Sequence, residues 1–284
     1  MTCYLNGRFL PIEEATIPVL DRGFIFGDGV YEVIPVYGRV PFRLEGHLVR
    51  LRRSLDAIRI RNPHTDAEWS ALIHDLIARQ PDADQGLYLQ VTRGVAKRDH
   101  PFPKDVSPTV FMMCNPLTTP TEEQVARGIA AVTVTDNRWY RCDIKTTALL
   151  ANVLLRQQAV DQGAAEALLL RNGFLTEGSS SNVFVVRAGR IAAPAKSHLL
   201  LPGITYDVIV ELAAEAGIPF EARDVHETEL GSADEIWVTS ALREVLAVTS
   251  LDHRPVGAGV PGPVFRRMHA LFQALKRRPQ AAAA

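Results

Sequence analysis

Of the 31 Lys and Arg residues only five are lysines: Lys97, Lys104, Lys145, Lys196 and Lys276. A reaction that needs an amine nucleophile therefore has few places to find one. Lys97 and Lys104 lie in a Pro-rich loop, Lys196 sits between Ala195 and Ser197 after Pro194, and Lys276 belongs to a basic C-terminal helix. Only Lys145, in Cys142-Asp143-Ile144-Lys145-Thr146-Thr147-Ala148-Leu149-Leu150, stands at the edge of a long apolar segment. An amine attacks a carbonyl only when neutral, and desolvation lowers its pKa toward that state. Further along, Phe174-Leu-Thr-Glu-Gly-Ser-Ser-Ser-Asn182 sets a carboxylate, Glu177, before a hydroxyl-rich turn (Ser179, Ser180, Ser181, Asn182) between two apolar runs. Polar groups gathered between strands are costly unless something polar lies beside them. A heteroaromatic ring bearing a nitrogen suits that place, because a carboxylate keeps the nitrogen protonated and the ring able to accept electron density.

Three more elements suit a phosphate. In Leu201-Pro202-Gly203-Ile204-Thr205-Tyr206-Asp207, Gly203 permits close approach and Thr205 is a natural N-cap, so exposed N–H groups would face an anion. Val238-Thr239-Ser240-Ala241 ends a strand with two hydroxyls, and Arg50 is a candidate bidentate phosphate ligand. Each feature has an ordinary alternative: a lysine snorkelling from a strand end, a solvent-facing acid, a plainly capped helix, a surface arginine. Together they amount to an amine, a pyridinium partner and a phosphate cup, which is the requirement for pyridoxal 5′-phosphate.

With these residues in view, the chain resembles the fold-type IV pyridoxal-phosphate aminotransferases, a group that includes branched-chain aminotransferases, aminodeoxychorismate lyase and D-amino-acid aminotransferases. The resemblance runs from about Tyr4 to the C-terminal helix. It is carried by Asp21-Arg-Gly-Phe-Ile-Phe-Gly-Asp-Gly-Val-Tyr-Glu32, the Lys145 segment, Thr176 to Asn182, and Pro202-Gly203-Ile204-Thr205. It implies an α+β, two-domain fold with mixed sheets and flanking helices. It also implies that Lys145 holds the cofactor as a Schiff base and shuttles the proton at Cα, while Glu177 faces the ring nitrogen. Ser180, Ser181 and Asn182 would hold the cofactor's hydroxyl and phosphate. Leu201 would pack beneath the ring, and Arg50, Gly203, Ile204 (through its N–H), Thr205, Thr239 and Ser240 would form the phosphate cup.

Within the group, Val91-Thr-Arg-Gly-Val-Ala-Lys-Arg98-Asp-His100 is similar to the carboxylate trap of D-amino-acid aminotransferases. There, Arg98 and His100 would reach across a homodimer interface while Tyr31 comes from the local subunit, with Val33 and Tyr88 beside the substrate. An Arg–His pair is a strong anion clamp, and its side of the pocket selects the enantiomer. The resemblance thus implies ping-pong exchange between D-amino acids (D-alanine, D-glutamate) and 2-oxo acids (pyruvate, 2-oxoglutarate). The rivals are an L-branched-chain or (R)-amine transaminase, aminodeoxychorismate lyase, or a non-catalytic pyridoxal-phosphate-binding protein.

The positioning elements follow from pattern. Tyr4 to Leu10 and Val30 to Tyr37 read as strands, with a turn at Gly38-Arg39. His47 to Ile60 and Asp66 to Arg79 read as amphipathic helices, the second capped by Thr65 or Asp66. Leu87 to Arg93 and Thr109 to Cys114 are strands, and Asn115 to Gln124, rich in Pro and Thr, is a linker. Beyond it come strands at Ile129 to Thr135, Ala167 to Leu170, Asn182 to Val186, Pro219 to Val225 and Glu235 to Thr239. Helices are expected over Thr147 to Gln162, Thr205 to Ala216 and Val264 to Arg278. The expected domains are 1–117 and 124–284, the second carrying the lysine, with a linker at 118–123 and the crevice between them as the default ligand site. There is no internal repeat, and only Ala281 to Ala284 is of low complexity. A net charge of −1, 47% hydrophobic and 22% charged residues describe an ordinary globular chain with no footprint for nucleic acid or an anionic membrane. No apolar run is long enough to span a bilayer, and Met1 to Arg8 lack the basic region plus apolar core expected of a signal peptide. Cys3, Cys114 and Cys142 suggest neither disulfides nor a zinc site, so a reducing, cytoplasmic setting is expected.

Overall fold

The computed structural model describes residues 1–277. Arg278 of the expected last helix and the Ala281–Ala284 tract lie outside them. The chain divides into two units: Met1–Thr118 with Ile144–Leu149, and Thr119–Asp143 with the chain from Leu150 onward. The sequence division assigns Lys145 to the C-terminal domain, whereas the segment around it groups with the first unit. The cause is local. Val30 and Thr146 form an antiparallel bridge, Thr147 N–H and Thr146 Oγ1 both bond Gly29 O, and Thr147 Oγ1 bonds Gly27 O. Tied in this way to the Gly27–Gly29 backbone, Thr146 and Thr147 stay out of the expected helix, which starts only at Leu150.

The first unit holds a six-stranded sheet in the order Arg8–Pro11, Thr2–Leu5, Thr109–Pro116, Gln85–Thr92, Gly29–Tyr37, Val40–Pro41, every pairing antiparallel. The single strand expected over Tyr4 to Leu10 is a hairpin, because Asn6 and Gly7 both take positive φ (47° and 90°) and form a two-residue turn. Helices Leu44–Ala57 and Asp66–Ala78 contribute Leu48, Leu51, Leu55, Trp69, Ile73 and Leu76 to one core with Val30, Ile34, Leu87, Leu89 and Met112. Thr65 closes the second helix with a capping box to Glu68.

The second unit holds a nine-stranded mixed sheet. Its path runs Phe220–Ala222, Arg190–Ala193, Asn182–Arg187, Glu235–Ser240, Glu244–Leu251, Ile129–Thr135, Glu166–Arg171, Phe174–Gly178, with Arg254–Pro255 beside Glu244–Leu251. Three pairings are parallel: Ile129–Thr135 with each of its neighbours, and Arg190–Ala193 with Phe220–Ala222. The expected linker ends in a helix, Glu122–Arg127, nucleated by a Thr121/Gln124 capping box. The N-cap position of helix Ile204–Glu215 is Gly203, not Thr205, and the helix stops at Gly217 with φ +65°.

Candidate active site

In the first unit, Lys145 stands beside the strand that carries Tyr31. Tyr31 N–H donates to Lys145 O at 2.9 Å, Lys145 N–H donates to Ser54 Oγ at 3.3 Å, and Nζ lies 4.2 Å from the Tyr31 ring centroid. Tyr31 and Tyr88 stack at 5.7 Å, and Val33 is the ladder partner of Tyr88, so Tyr31, Val33 and Tyr88 are gathered on half-buried positions of neighbouring strands. The alternate residue, Glu32, is fully buried. Its carboxylate accepts from Arg50 Nε (2.8 Å) and Nη2 (2.7 Å) and meets His47 Nδ1 at 2.7 Å. Burial alone would raise the Glu32 carboxyl, but Arg50 and His47 pull it down to about 2. Arg50 is thus a guanidinium already oriented by a buried anion. Burial moves His47 the other way, below its ordinary value. Arg98 and His100 lie on an exposed loop, where both pack on Phe26.

The second unit assembles the remaining candidates. Glu177 is buried in Phe174–Gly178; Arg138 Nη1 donates to Oε1 and Leu201 N–H donates to Oε2 at 3.0 Å. Arg138 also grips Asp136 through Nε (2.9 Å) and Nη2 (3.0 Å), and Thr176 Oγ1 donates to the same carboxylate at 2.8 Å. Burial pushes the Glu177 carboxyl up to about 7, against the pull of Arg138 and the Leu201 N–H. Burial also disfavours charge on Arg138, yet Asp136 and Glu177 hold it charged above its usual range. The two results are compatible. One guanidinium divided between two carboxylates stays charged itself while leaving Glu177 short of a full counter-charge.

Around Glu177 the other elements close in. Asn182 and Thr239 are ladder partners, and Asn182 Nδ2 donates to Leu201 O at 2.9 Å. A Cβ at Gly203 would stand 2.0 Å from Asn182 Oδ1, so only glycine lets Asn182 reach the start of the helix. No side chain caps that helix. Thr205 is buried at its first turn, and Ser240 lies one residue past Thr239, its Oγ accepting from Arg243 N–H at 3.3 Å. Ser181 Oγ donates to Glu166 at 2.9 Å, Ser179 Oγ donates to the same buried carboxylate, and Ser180 is exposed at the tip of the turn. Among the described residues, Thr239 Oγ1 is buried without a hydrogen-bond partner. An orphan hydroxyl and an uncapped helix start both fit a phosphate, and an under-compensated carboxylate fits a ring N–H⁺. The donor set therefore matches pyridoxal 5′-phosphate.

The chain matches the family described as Amino-transferase class IV over residues 29–251. The chain belongs to the class IV aminotransferases. This aminotransferase is 40% identical over 273 residues to a D-alanine aminotransferase of Bacillus licheniformis, with 96% of each chain covered. It is 36% identical over 271 residues to a D-alanine aminotransferase of Staphylococcus epidermidis, with 95% of this chain and 96% of that one covered. Its structure is similar to the branched-chain amino acid aminotransferase of Escherichia coli (TM-score 0.91, 26% identity, 96% and 94% covered). It is equally similar to a T.th. branched-chain amino acid aminotransferase solved with pyridoxamine 5′-phosphate (TM-score 0.91, 29% identity, 98% and 95% covered). The fold is therefore fold-type IV, and pyridoxal 5′-phosphate is the cofactor of this aminotransferase.

Sequence reasoning missed Arg138, Asp136, Glu32, His47 and Glu166. A signal existed for two of them: Glu32 and Glu166 are acids inside apolar strands, where a carboxylate needs cationic or hydroxyl partners. For Arg138 the partners are Asp136, two residues away, and Glu177 in the distant strand Phe174–Gly178.

Proposed function

We propose that the protein transfers the amino group of D-amino acids, D-alanine and D-glutamate foremost, to 2-oxo acids such as pyruvate and 2-oxoglutarate. The observation that carries this reading is the Arg98/His100 pair, an anion clamp on an exposed loop of the unit that holds Lys145 and Tyr31. The named D-alanine aminotransferases at 36–40% identity support it. The fold by itself is neutral on handedness, since the branched-chain enzymes share it.

When bound, pyridoxal phosphate supplies an electron-accepting ring that lets the Cα–H bond of the substrate ionise. Lys145 Nζ holds the cofactor between turnovers and, once released, moves the proton at Cα as base and acid. The Tyr31 ring stands 4.2 Å from Nζ, beside the amine that moves the proton. Glu177, its orientation fixed by Arg138 and the Leu201 N–H, would accept the ring N–H. Arg50, Gly203, the Ile204 N–H, Thr205, Thr239 and Ser240 would bind the cofactor's phosphate, Ser180, Ser181 and Asn182 would support its polar edge, and Leu201 would pack against its ring. Val33 and Tyr88 border the substrate side chain.

Arg98 and His100 act from the partner subunit of a homodimer. Their exposure in the single chain supports this, as do exposed Ile17, Val19, Leu20, Phe24 and Val95 in the same region, where Asp21 bridges Val95. The buried thiols of Cys3, Cys114 and Cys142 suit a reducing, cytoplasmic setting. Among the described residues, no helix is long and apolar enough to cross a membrane.

The test is a half-reaction. D-alanine added to the purified holoenzyme should bleach the visible band of the Lys145-bound cofactor, while L-leucine should do little. Faster bleaching by L-leucine would sink the D-specific reading and favour a branched-chain enzyme.

A further inference from the structure

The loop that carries Arg98 and His100 is exposed, yet its backbone and its two key side chains are pinned from beneath. Arg22, buried at the start of the short helix Arg22–Phe26, sends Nη1 to Asp99 O (2.5 Å) and Nη2 to His100 O (3.5 Å). The same guanidinium is oriented by Asp28, which accepts from Arg22 Nε at 2.8 Å. Asp28 holds a second arginine as well: Arg93 Nε at 2.7 Å and Nη2 at 3.0 Å. Arg93 lies 3.7 Å from the ring centroid of Phe102, just past His100, and bonds Ile58 O and Arg59 O on the far side. Phe26 forms the floor. Its ring carries the guanidinium of Arg22 at 4.7 Å, that of Arg98 at 5.3 Å, and the His100 imidazole at 5.7 Å between centroids.

Carbonyls that receive guanidinium donors cannot rotate without leaving a buried cation unsatisfied. The peptide segment bearing Arg98 and His100 is therefore held by Arg22 at Asp99 and His100 and by Arg93 at Phe102, two cations anchored on one carboxylate. That carboxylate directly precedes Gly29, the first residue of the strand bearing Tyr31.

We infer that Phe26 and the Asp28–Arg22 pair are positioning residues for the Arg98/His100 clamp, fixing the spacing of its two side chains before an α-carboxylate arrives. This rests on reading Arg98 and His100 as that clamp. Neither Phe26 nor Arg22 need touch substrate. They keep two flexible side chains from having to be ordered at the moment of binding, which is where preorganisation gains affinity.

The experiment compares Phe26→Leu, Arg22→Lys and Arg98→Ala holoenzymes. The readouts are kcat and KM for D-alanine, and the rate at which hydroxylamine, an amine without a carboxylate, bleaches the Lys145-bound cofactor. Phe26 is half-buried, so its leucine variant keeps an apolar contact and should fold. A displacement of about an ångström at a binding group costs on the order of 10–100-fold, so KM for D-alanine should rise by that factor in Phe26→Leu and Arg22→Lys. Both kcat and the hydroxylamine rate should stay within about threefold. A raised KM in Arg98→Ala but not in the other two would overturn the inference alone. Unchanged KM in Arg98→Ala would overturn the clamp itself. Parallel losses in KM, kcat, hydroxylamine rate and thermal stability would show a merely structural role and would equally refute it.

Discussion

Glu177→Gln tests the electrostatics of the cofactor cradle without requiring turnover. In the cofactor-free protein the Glu177 carboxyl is raised from 4.5 to about 7 by burial. Its folded form therefore binds a proton more tightly than its unfolded form. The stabilisation is complete below the unfolded value and is lost as pH rises through the folded one. Integrating between those two values, the group should remove about 2.5 kcal/mol of stability between about pH 5 and about pH 8. At about 2–4 °C per kcal/mol for a chain near this size, that is roughly 5–10 °C in melting temperature. Glutamine preserves shape and the acceptor for Leu201 N–H but does not titrate. Arg138 stays charged across the window, and at its low end both side chains offer it a neutral carbonyl. Denaturant or thermal unfolding of cofactor-free wild type and variant across this range should give curves that lie close near pH 5, where both side chains are neutral, and separate as pH rises, the wild type falling below the variant. Saturation with pyridoxal phosphate should flatten the wild-type curve, because a ring N–H⁺ restores the missing counter-charge. Parallel curves in the cofactor-free proteins would refute the argument that Glu177 is under-compensated.

Three further outcomes are expected. Thr239→Val removes a buried hydroxyl that has no partner; it should leave the cofactor-free protein as stable or about 1 kcal/mol more so, yet weaken cofactor retention on gel filtration. Gly203→Ala drives a methyl to 2.0 Å from Asn182 Oδ1; it should cost about 1–3 kcal/mol in unfolding free energy and loosen pyridoxal phosphate, measured by titration of the apoenzyme. Glu32→Gln strips a buried anion from Arg50 and His47; a loss of about 3–5 kcal/mol above pH 4.5 is expected in denaturant unfolding. Because Glu32 is lowered to about 2, that gap should close as pH falls through this value.

How far the sequence reached depended on how local each signal was. Ile129–Thr135 coincides with its expected strand, and the helix cap at Thr65 was legible, because alternation and capping are short-range. The helix Glu122–Arg127 was hidden by the Pro and Thr around it, although Thr121 and Gln124 spell a capping box. Strands Arg190–Ala193 and Glu244–Leu251 offered no alternation that separates a buried strand from other apolar runs.

The amine, the carboxylate and the turn proposed to bind phosphate belong to contiguous motifs, so the sequence alone determined the cofactor and the family. Which groups hold those residues in their working states was decided only by the tertiary structure. Arg138 and Asp136 set the charge on Glu177, Glu32 aims Arg50, and Asp28 ties Arg22 and Arg93 beneath the Arg98 loop. Many of these pairs join residues tens of positions apart. A buried charge takes its energy from whatever lies within a few ångströms, and only the folded chain determines what that is.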